Sequence, residues 1–355
     1  MTAYAYNAWY PLAWSRDIDR TLSARRVLEE DVVLYRTLAG EVVALEDACP
    51  HRLAPLSLGE LHGDEVMCGY HGMRFDCSGN CTAAPGLQRA PANTSVYSYP
   101  ISESMGMVWI WMGDPLQADH SQVFHLPEYD SGDYSLIEGD ALSVQANYLN
   151  LADNLCDPTH VVYVHKTTLA STGREETRVM HERQGNKVTT WRWVLDGPLI
   201  PMFQGLKDFG GNVDRWHYYH YHAPSIAVID FGSAKTGTGA MEGNREDCIQ
   251  MYACHFITPV DQSTCVQHWL LLKNSPSNPE VDARLRAGLR LAFNEDKQVL
   301  EAIQRNEEKT RKRGSRRINL GLDASSIKMR SVVHEMATQN DTSATPAKPA
   351  EPAVA

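Results

Sequence analysis

The hydrophobic rhythm of the chain changes twice along its length. Up to about residue 115, apolar positions come in short runs bounded by Gly, Pro and Asp, as in 31-DVVLYRT-37, 41-EVVALED-47 and 107-MVWIWMG-113. β-Branched and aromatic residues in such runs predict strands, so the first region reads as an all-β module. A helical pattern opens at 147-NYLNLADNLCDPTHVVYVH-165, and longer strand-like runs follow at 188–195, 216–222, 226–232, 249–258 and 265–273. Strands in that succession predict an antiparallel sheet that walls a pocket. Between 280 and 309 the period becomes that of a long amphipathic helix, with Leu285, Leu289, Ala292, Val299 and Ile303 as its apolar stripe. The end, 337-ATQNDTSATPAKPAEPAVA-355, is small, polar and Pro-rich and predicts disorder. The expected class is α+β: an N-terminal all-β domain over 1–115, a domain with an antiparallel sheet flanked by helices over 116–335, and a disordered tail over 336–355.

Composition narrows the function classes. The 355 residues are 43% hydrophobic and 22% charged, ample for two cores. A formal net charge of −11 argues against nucleic acid as a partner, and the one basic run, 309-KTRKRGSRR-317, reads as a solvated helix end. No apolar run of about 18 residues predicts a membrane span. The first residues, MTAYAYNAWYPLAW, lack the charge and apolar core of a leader, so a cytoplasmic protein is expected. In that setting eight cysteines favour thiols and metal ligands over a disulfide framework.

The chemistry begins with Cys49 and His51, followed after sixteen intervening residues by Cys68 and His71. Two thiolates and two imidazoles suit a tetrahedral zinc ion. They also suit a Rieske 2Fe–2S cluster, in which two cysteines hold one iron and two histidines the other. Each loop supplies one ligand of each type, an order unlike that of zinc fingers, and this favours the cluster. Pro50, Gly69 and Gly72 fit tight turns that aim N–H groups at sulfur. Cys77 and Cys81 lie outside both loops and read as structural.

A second donor set lies further on. Asp153, Asp157 and His160 are spaced by four and three, which aligns them on one helical face. Pro158 should end or loosen that helix and free His165 to turn back toward His160. Asp296 falls on the apolar stripe of the late helix, where a carboxylate is costly unless paired or metal-bound, whereas Glu295 reads as surface. Two histidines and one carboxylate are the facial triad of non-haem Fe(II) oxygenases; a plain salt bridge is the competing reading of Asp296. His217, His220 and His222 look metal-like, yet alternation separates His217 from the other two, and all three read as structural. The run 237-GTGAMEG-243 lacks the dinucleotide-binding spacing and reads as a loop.

On 49-CPHRLAPLSLG-59, 68-CGYHGMRFDCSG-79, 150-NLADNLCDPTHVVYVH-165, 232-GSAKTGTGAMEG-243 and 293-FNEDKQVLEA-302, the chain resembles the oxygenase component of Rieske non-haem iron aromatic oxygenases. Within that family it is similar to the vanillate and dicamba O-demethylases and to toluenesulfonate methyl-monooxygenase. The resemblance implies a Rieske domain followed by a catalytic iron domain, arranged in a head-to-tail homotrimer. It implies Cys49, His51, Cys68 and His71 as cluster ligands, and His160, His165 and Asp296 as ligands of a mononuclear Fe(II). Asp157 would link the two centres and Asn154 stand beside the iron, with Asp230 and His255 as substrate-binding positions. The expected activity is that of a terminal oxygenase using O2 on a methyl or methoxy group of an aromatic acid. Because no dinucleotide or plant-type ferredoxin motif is present, its electrons would come from a separate NAD(P)H-dependent flavin and iron–sulfur reductase. A Rieske electron carrier without oxygen chemistry of its own is the alternative.

Overall fold

The computed structural model describes residues 4–89, 92–166, 169, 178–311 and 318–340. The chain divides into two compact units, one of residues 1–125 with 336–355 and one of residues 126–335. The first runs past the expected boundary at 115 because Trp9 Nε1 donates to the Asp119 carbonyl at 2.9 Å and Ser104 Oγ to that of Phe124 at 3.0 Å.

In the first unit the strands are β1 (Ala8–Trp14), β2 (Ser23–Val27), β3 (Glu30–Arg36), β4 (Val42–Glu46), β5 (Glu60–His62), β6 (Glu65–Met67), β7 (Arg74–Phe75), β8 (Cys81–Ala83), β9 (Ile101–Ser104) and β10 (Met107–Met112). They form three small sheets, ordered β1-β10-β9, β2-β3-β4 and β5-β6-β7-β8, with antiparallel neighbours throughout. The continuous apolar runs seen in the sequence are strands buried on both faces, since every residue of β1 and β10 is buried. One core gathers Tyr10, Val32, Leu34 and Ile110; another gathers Tyr35, Leu45, Val66 and Phe75 around Cys49 and Cys68.

The second unit is built on one antiparallel sheet of seven strands, β11 (Ser135–Val144), β12 (Met180–Gln184), β13 (Lys187–Gly197), β14 (Val213–His222), β15 (Ile226–Lys235), β16 (Cys248–Asp261) and β17 (Thr264–Lys273). Their order is β11-β17-β16-β15-β14-β13-β12. Four helices complete the fold: α1 (Tyr148–Leu155), α2 (Val161–Val164), α3 (Pro279–Arg311) and α4 (Ala324–Asn340). One face of the sheet buries Phe231, Met251 and Leu271 against Leu285, Leu289 and Phe293 of α3. On the other face Trp216 packs with Trp193 and Tyr218, and the Arg245 guanidinium lies over all three rings.

Two sequence expectations change here. The buried stripe of α3 runs through Leu285, Leu289, Ala292, Phe293, Asp296, Leu300 and Gln304, while Val299 and Ile303 are 41% and 38% exposed. Gln304 takes the inward position because its Oε1 accepts from the Asn147 N–H at 2.9 Å, just where α1 begins. The expected tail also starts too early, since α4, which the hydrophobic pattern did not announce, continues to Asn340. Ala337 is buried and Met336 packs on the Tyr10 core, so the last helical turn has an apolar seat. Residues 341–355 and most of the basic run at 309–317 lie outside the described residues. Among the described residues no helix is long and apolar enough to cross a membrane.

Burial, with the charge of Lys187, pushes His222 down to about 4 from its ordinary 6.5, and His220 down to about 3. The unfolded chain therefore takes up these protons first as pH falls. Stability from keeping them neutral is complete above 6.5 and drains away between 6.5 and about 4. Replacing His222 by Gln should flatten that acid slope. Urea midpoints at pH 7.5 and pH 5 should differ less for the variant than for the parent, by at most about 2 kcal/mol in stability. Identical differences would mean that His222 is not held neutral by the fold.

Candidate metal centres

Helix α1 begins with Asn147 as its cap, whose side chain accepts from the Leu149 N–H at 3.0 Å, and it ends at Leu155, three residues before Pro158. The break expected at Pro158 is present, and it falls early enough that Asp157 and His160 stand outside the helix rather than on its face. A turn replaces the helix. The Asp157 carboxylate accepts from the Thr159 N–H at 2.7 Å and hydroxyl at 2.6 Å, and α2 then carries the chain to His165.

That turn brings His160 and His165 to face Asp296 of α3. Among the described residues these are the only three metal-ligand side chains whose donor atoms all lie within 4.8 Å of one another. His160 Nε2 and His165 Nε2 stand 3.5 and 3.2 Å from the same oxygen, Asp296 Oδ1, with the two rings inclined at 72°. Asn154 Nδ2 donates to that oxygen at 2.9 Å.

Each imidazole is oriented from behind. His160 Nδ1 lies 2.6 Å from the Asp157 backbone carbonyl, which only accepts, so Nδ1 carries the proton and Nε2 offers its lone pair. His165 Nδ1 lies 2.8 Å from Glu295 Oε2, which fixes the same tautomer. Glu295 is thus not ordinary surface. Asp296 faces His165 Nε2 and its neighbour reaches Nδ1 of the same ring, because the ring inserts between the two side chains. Burial disfavours a charged His165, but Asp296 and then Glu295 outweigh it and raise its pKa. The Asp157 carboxylate is 3.8 Å from His160 Nδ1, and against burial the attraction of His160 and the hydrogen bonds from Thr159 hold its pKa low.

The triad opens on a cavity of about 840 Å³, counting the solvent at its mouth. Leu155, Ile200, Met202, Ile229, Phe231, Leu289 and Phe293 make its wall mostly apolar. His255 lines it, wholly buried, with Nδ1 2.8 Å from Gln267 Nε2 and Nε2 without a hydrogen-bond partner among the described residues. Burial pushes this imidazole down to about 3, against the opposing pull of Asp296. Asp230 does not join it. Ile229 and Phe231 face the cavity, so alternation turns Asp230 to the other side of the sheet, where it accepts from Trp216 Nε1 and Gln250 Nε2, both at 2.9 Å. The same parity revises His217: it lines the cavity with Arg192, Arg215 and Tyr219, positions the sequence reading passed over, while His220 Nδ1 stands 3.1 Å from Thr189 Oγ1 outside it.

The four loop donors of the first unit form a different kind of set. Cys49 and Cys68 are 1% and 2% exposed, and the rings of His51 and His71 lie 4.5 Å apart at the surface. Burial raises the Cys49 pKa, opposed by the His51 N–H directed at the thiol and reinforced by Cys68. Gly72 sits at φ +73°, and a Cβ on Gly69 would come 2.6 Å from the Leu58 carbonyl, so both turns need glycine. Two buried thiols with two exposed imidazoles suit the two unlike irons of a Rieske cluster, one held by sulfur and one by nitrogen. Cys77 receives the Tyr35 hydroxyl at 3.6 Å and packs with Cys81 at the edge of the core, as the structural reading expects.

Comparison with known proteins agrees with this geometry. Residues 8–100 match the Rieske [2Fe-2S] domain and residues 144–339 the vanillate O-demethylase oxygenase C-terminal domain. The chain is 37% identical to the toluene-4-sulfonate monooxygenase system iron-sulfur subunit of Comamonas testosteroni, over 84% of this chain and 88% of that one. It is 32% identical to the vanillate O-demethylase oxygenase subunit of a Pseudomonas species, covering 92% and 93% of the two chains. The crystal structure of dicamba monooxygenase bound to dicamba superposes with a TM-score of 0.87 at 28% identity, covering 96% of this chain and 99% of that one. With a Rieske domain ahead of that catalytic domain, the chain belongs to the family of Rieske non-haem iron oxygenases that includes the vanillate O-demethylase oxygenases.

Proposed function

We propose that this protein is the terminal oxygenase of a multicomponent monooxygenase that hydroxylates a methyl or methoxy substituent of an aromatic acid, a methoxy group then leaving as formaldehyde. The observation that carries this reading is the convergence of His160, His165 and Asp296 at the wall of a largely apolar cavity. Relatives named as acting on toluene-4-sulfonate, vanillate and dicamba support it.

Cys49, His51, Cys68 and His71 would hold the 2Fe–2S cluster, and His160, His165 and Asp296 the mononuclear iron. When bound, the cluster supplies electrons and the iron supplies the activation of dioxygen. The protein's own part is positional. Three neutral or anionic donors on one side leave the cavity side of the triad for ligands. Phe231, Ile229, Leu289 and Phe293 exclude water and hold an aromatic ring against that side. His255, neutral and anchored by Gln267, presents Nε2 to a polar atom of the substrate. Asn154 steadies the Asp296 carboxylate, while the Asp157 carbonyl and Glu295 hold the two Nδ1–H groups.

Electrons would arrive from a separate NAD(P)H-dependent flavin and iron–sulfur reductase in the cytoplasm. A homotrimer, with each cluster serving a neighbouring subunit, is supported by the exposure of His51 and His71 among Leu53, Leu58 and Tyr70, which are 74%, 77% and 61% exposed. In that arrangement Asp157, beside His160, is the residue facing the neighbour.

Iron in the purified protein should exceed acid-labile sulfide, and dioxygen uptake should match product in a screen of methoxybenzoates and toluenesulfonates. Asp296→Ala should bring iron down to equal sulfide, keep the cluster spectrum and abolish product. Iron already equal to sulfide in the parent would return the protein to the electron-carrier reading. Glu295→Gln keeps the side chain but loses the anionic acceptor behind His165, so Fe(II) affinity should fall about 10- to 100-fold in competition with a chelator. Unchanged affinity, with folding intact by circular dichroism, would make Glu295 a bystander.

A further inference from the structure

Behind the cavity wall stands one tryptophan. Of the eight in the chain, Trp9, Trp14, Trp109 and Trp111 belong to the first unit, and Trp191, Trp193 and Trp216 share the sheet face turned from the cavity. Trp269 is placed differently. It pairs with His255 across β16 and β17, so it faces the cavity side, 1% exposed and one layer behind the lining. Phe293, which lines the cavity, sets its ring against both, 5.1 Å from His255 and 5.3 Å from Trp269. Because Phe293 and Asp296 are less than one helical turn apart on α3, the indole stands ~10 Å from the triad with a single ring between them.

The far side of the indole is arranged to take a proton. Trp269 Nε1 donates to Asp140 Oδ1 at 2.9 Å. The register of β11 against β17 slips between Glu138 and Ala141, a bulge that re-aims the Asp140 carboxylate at the indole. Gly139 permits the close approach, since a Cβ there would collide with the indole and with the Trp269 carbonyl. Asp140 Oδ2 meets Arg290 Nη1 at 3.2 Å, and these two side chains are 47% and 68% exposed, so a proton arriving on the carboxylate can pass to water. A buried tryptophan needs only an acceptor for its N–H. This one has a base that is open to solvent.

We infer that Trp269 is a redox relay that drains a one-electron oxidant from the triad when dioxygen is reduced with no aryl substrate in place. The indole gives one electron to that dioxygen-derived oxidant, and its Nε1 proton moves along the hydrogen bond to Asp140. The product is a neutral indolyl radical, kept from water by burial. A one-electron reductant of the thiol or ascorbate class then returns an electron as the proton comes back from Asp140. Without this outlet the oxidant attacks the side chains nearest to it, the imidazoles of His160 and His165. The inference rests on the oxygenase reading for the source of the oxidant, but not for the path the electron takes.

Freeze-quench electron paramagnetic resonance of the iron-loaded protein tests it, with hydrogen peroxide as the oxidant, the cluster oxidised and no aryl substrate. An organic radical should appear and should narrow when the tryptophans carry deuterated indole. It should be absent from Trp269→Phe and from Asp296→Ala, which breaks the triad. Asp140→Asn keeps an acceptor oxygen but is no base, so the radical should form several-fold less. Peptide mass spectrometry reads the damage: peroxide should oxidise His160 and His165 several-fold faster in Trp269→Phe than in the parent, with circular dichroism unchanged. A radical that survives Trp269→Phe, as one on Tyr219 of the cavity wall would, overturns the relay. So does a radical that still forms in Asp296→Ala, or histidine oxidation at the parent rate in Trp269→Phe. Dioxygen uptake with aryl substrates on the same samples separates the two readings. A Trp269 radical with no substrate-dependent uptake would sink the oxygenase assignment and leave the relay standing, and uptake matched by product with no Trp269 radical would do the reverse.

Discussion

The catalytic unit turns on one oxygen atom, Asp296 Oδ1. It lies on the buried stripe of a long helix and receives the Asn154 amide at 2.9 Å, with two imidazole nitrogens within 3.5 Å. A carboxylate withdrawn from water is costly unless donors or cations surround it, so whatever satisfies this group must be held in place by the fold. That requirement ties α3 to α1 and to the broken segment after it. Gln304 and Glu301, farther along α3, reinforce the tie by accepting from the backbone N–H groups of Asn147 and Gln145 at the entry to α1. The helix that supplies the third donor therefore also anchors the start of the segment that supplies the other two.

The sheet serves this arrangement by having two unlike faces. Toward α3 it is mostly apolar, with Arg192, Arg215, His217 and His255 among its polar exceptions. Away from α3, Asp230, Gln250 and Arg245 satisfy one another beneath the Trp193, Trp216 and Tyr218 rings. A buried acid placed among donors is inexpensive, and burial accordingly raises its pKa only against the pull of those partners. Such a group stabilises the sheet and does not meet the cavity.

How much of this was legible in the sequence depended on whether the signal was local. The strands, the late helix and the break before His165 were readable because periodicity and a proline act within a few residues. Asp296 was readable because a carboxylate on an apolar stripe conflicts with burial. Glu295 was missed since nothing in its own helix records that a histidine from a distant segment lies between it and its neighbour. The inward turn of Leu300 and Gln304 in place of Val299 and Ile303 was hidden for a similar reason: it follows from a backbone N–H elsewhere that needs an acceptor. On strands, alternation says which residues share a face but not which face meets the cavity. Register settles it: Ala227 pairs with His255, and Asp230, three positions along from Ala227, must point the other way. The same count returns His217 to the cavity and leaves His220 and His222 outside.

The two histidines of the triad are not equivalent, and the difference follows from what stands behind them. His160 gives its Nδ1–H to a backbone carbonyl, an acceptor fixed by the turn that Asp157 and Thr159 build, neutral and unable to move far. His165 gives its Nδ1–H to a carboxylate on α3, so its ring is tied to the same helix as Asp296. A carboxylate behind an imidazole makes the opposite nitrogen a stronger donor, and a carbonyl does so less. Glu295 and Asp296 together bring two negative charges to the site, the number that balances a divalent cation in a cavity of low polarity. The neutral carbonyl behind His160 avoids adding a third. It also leaves the Asp157 carboxylate, engaged on one oxygen by Thr159, outside the charge balance of the triad and thus able to serve another role at its rim.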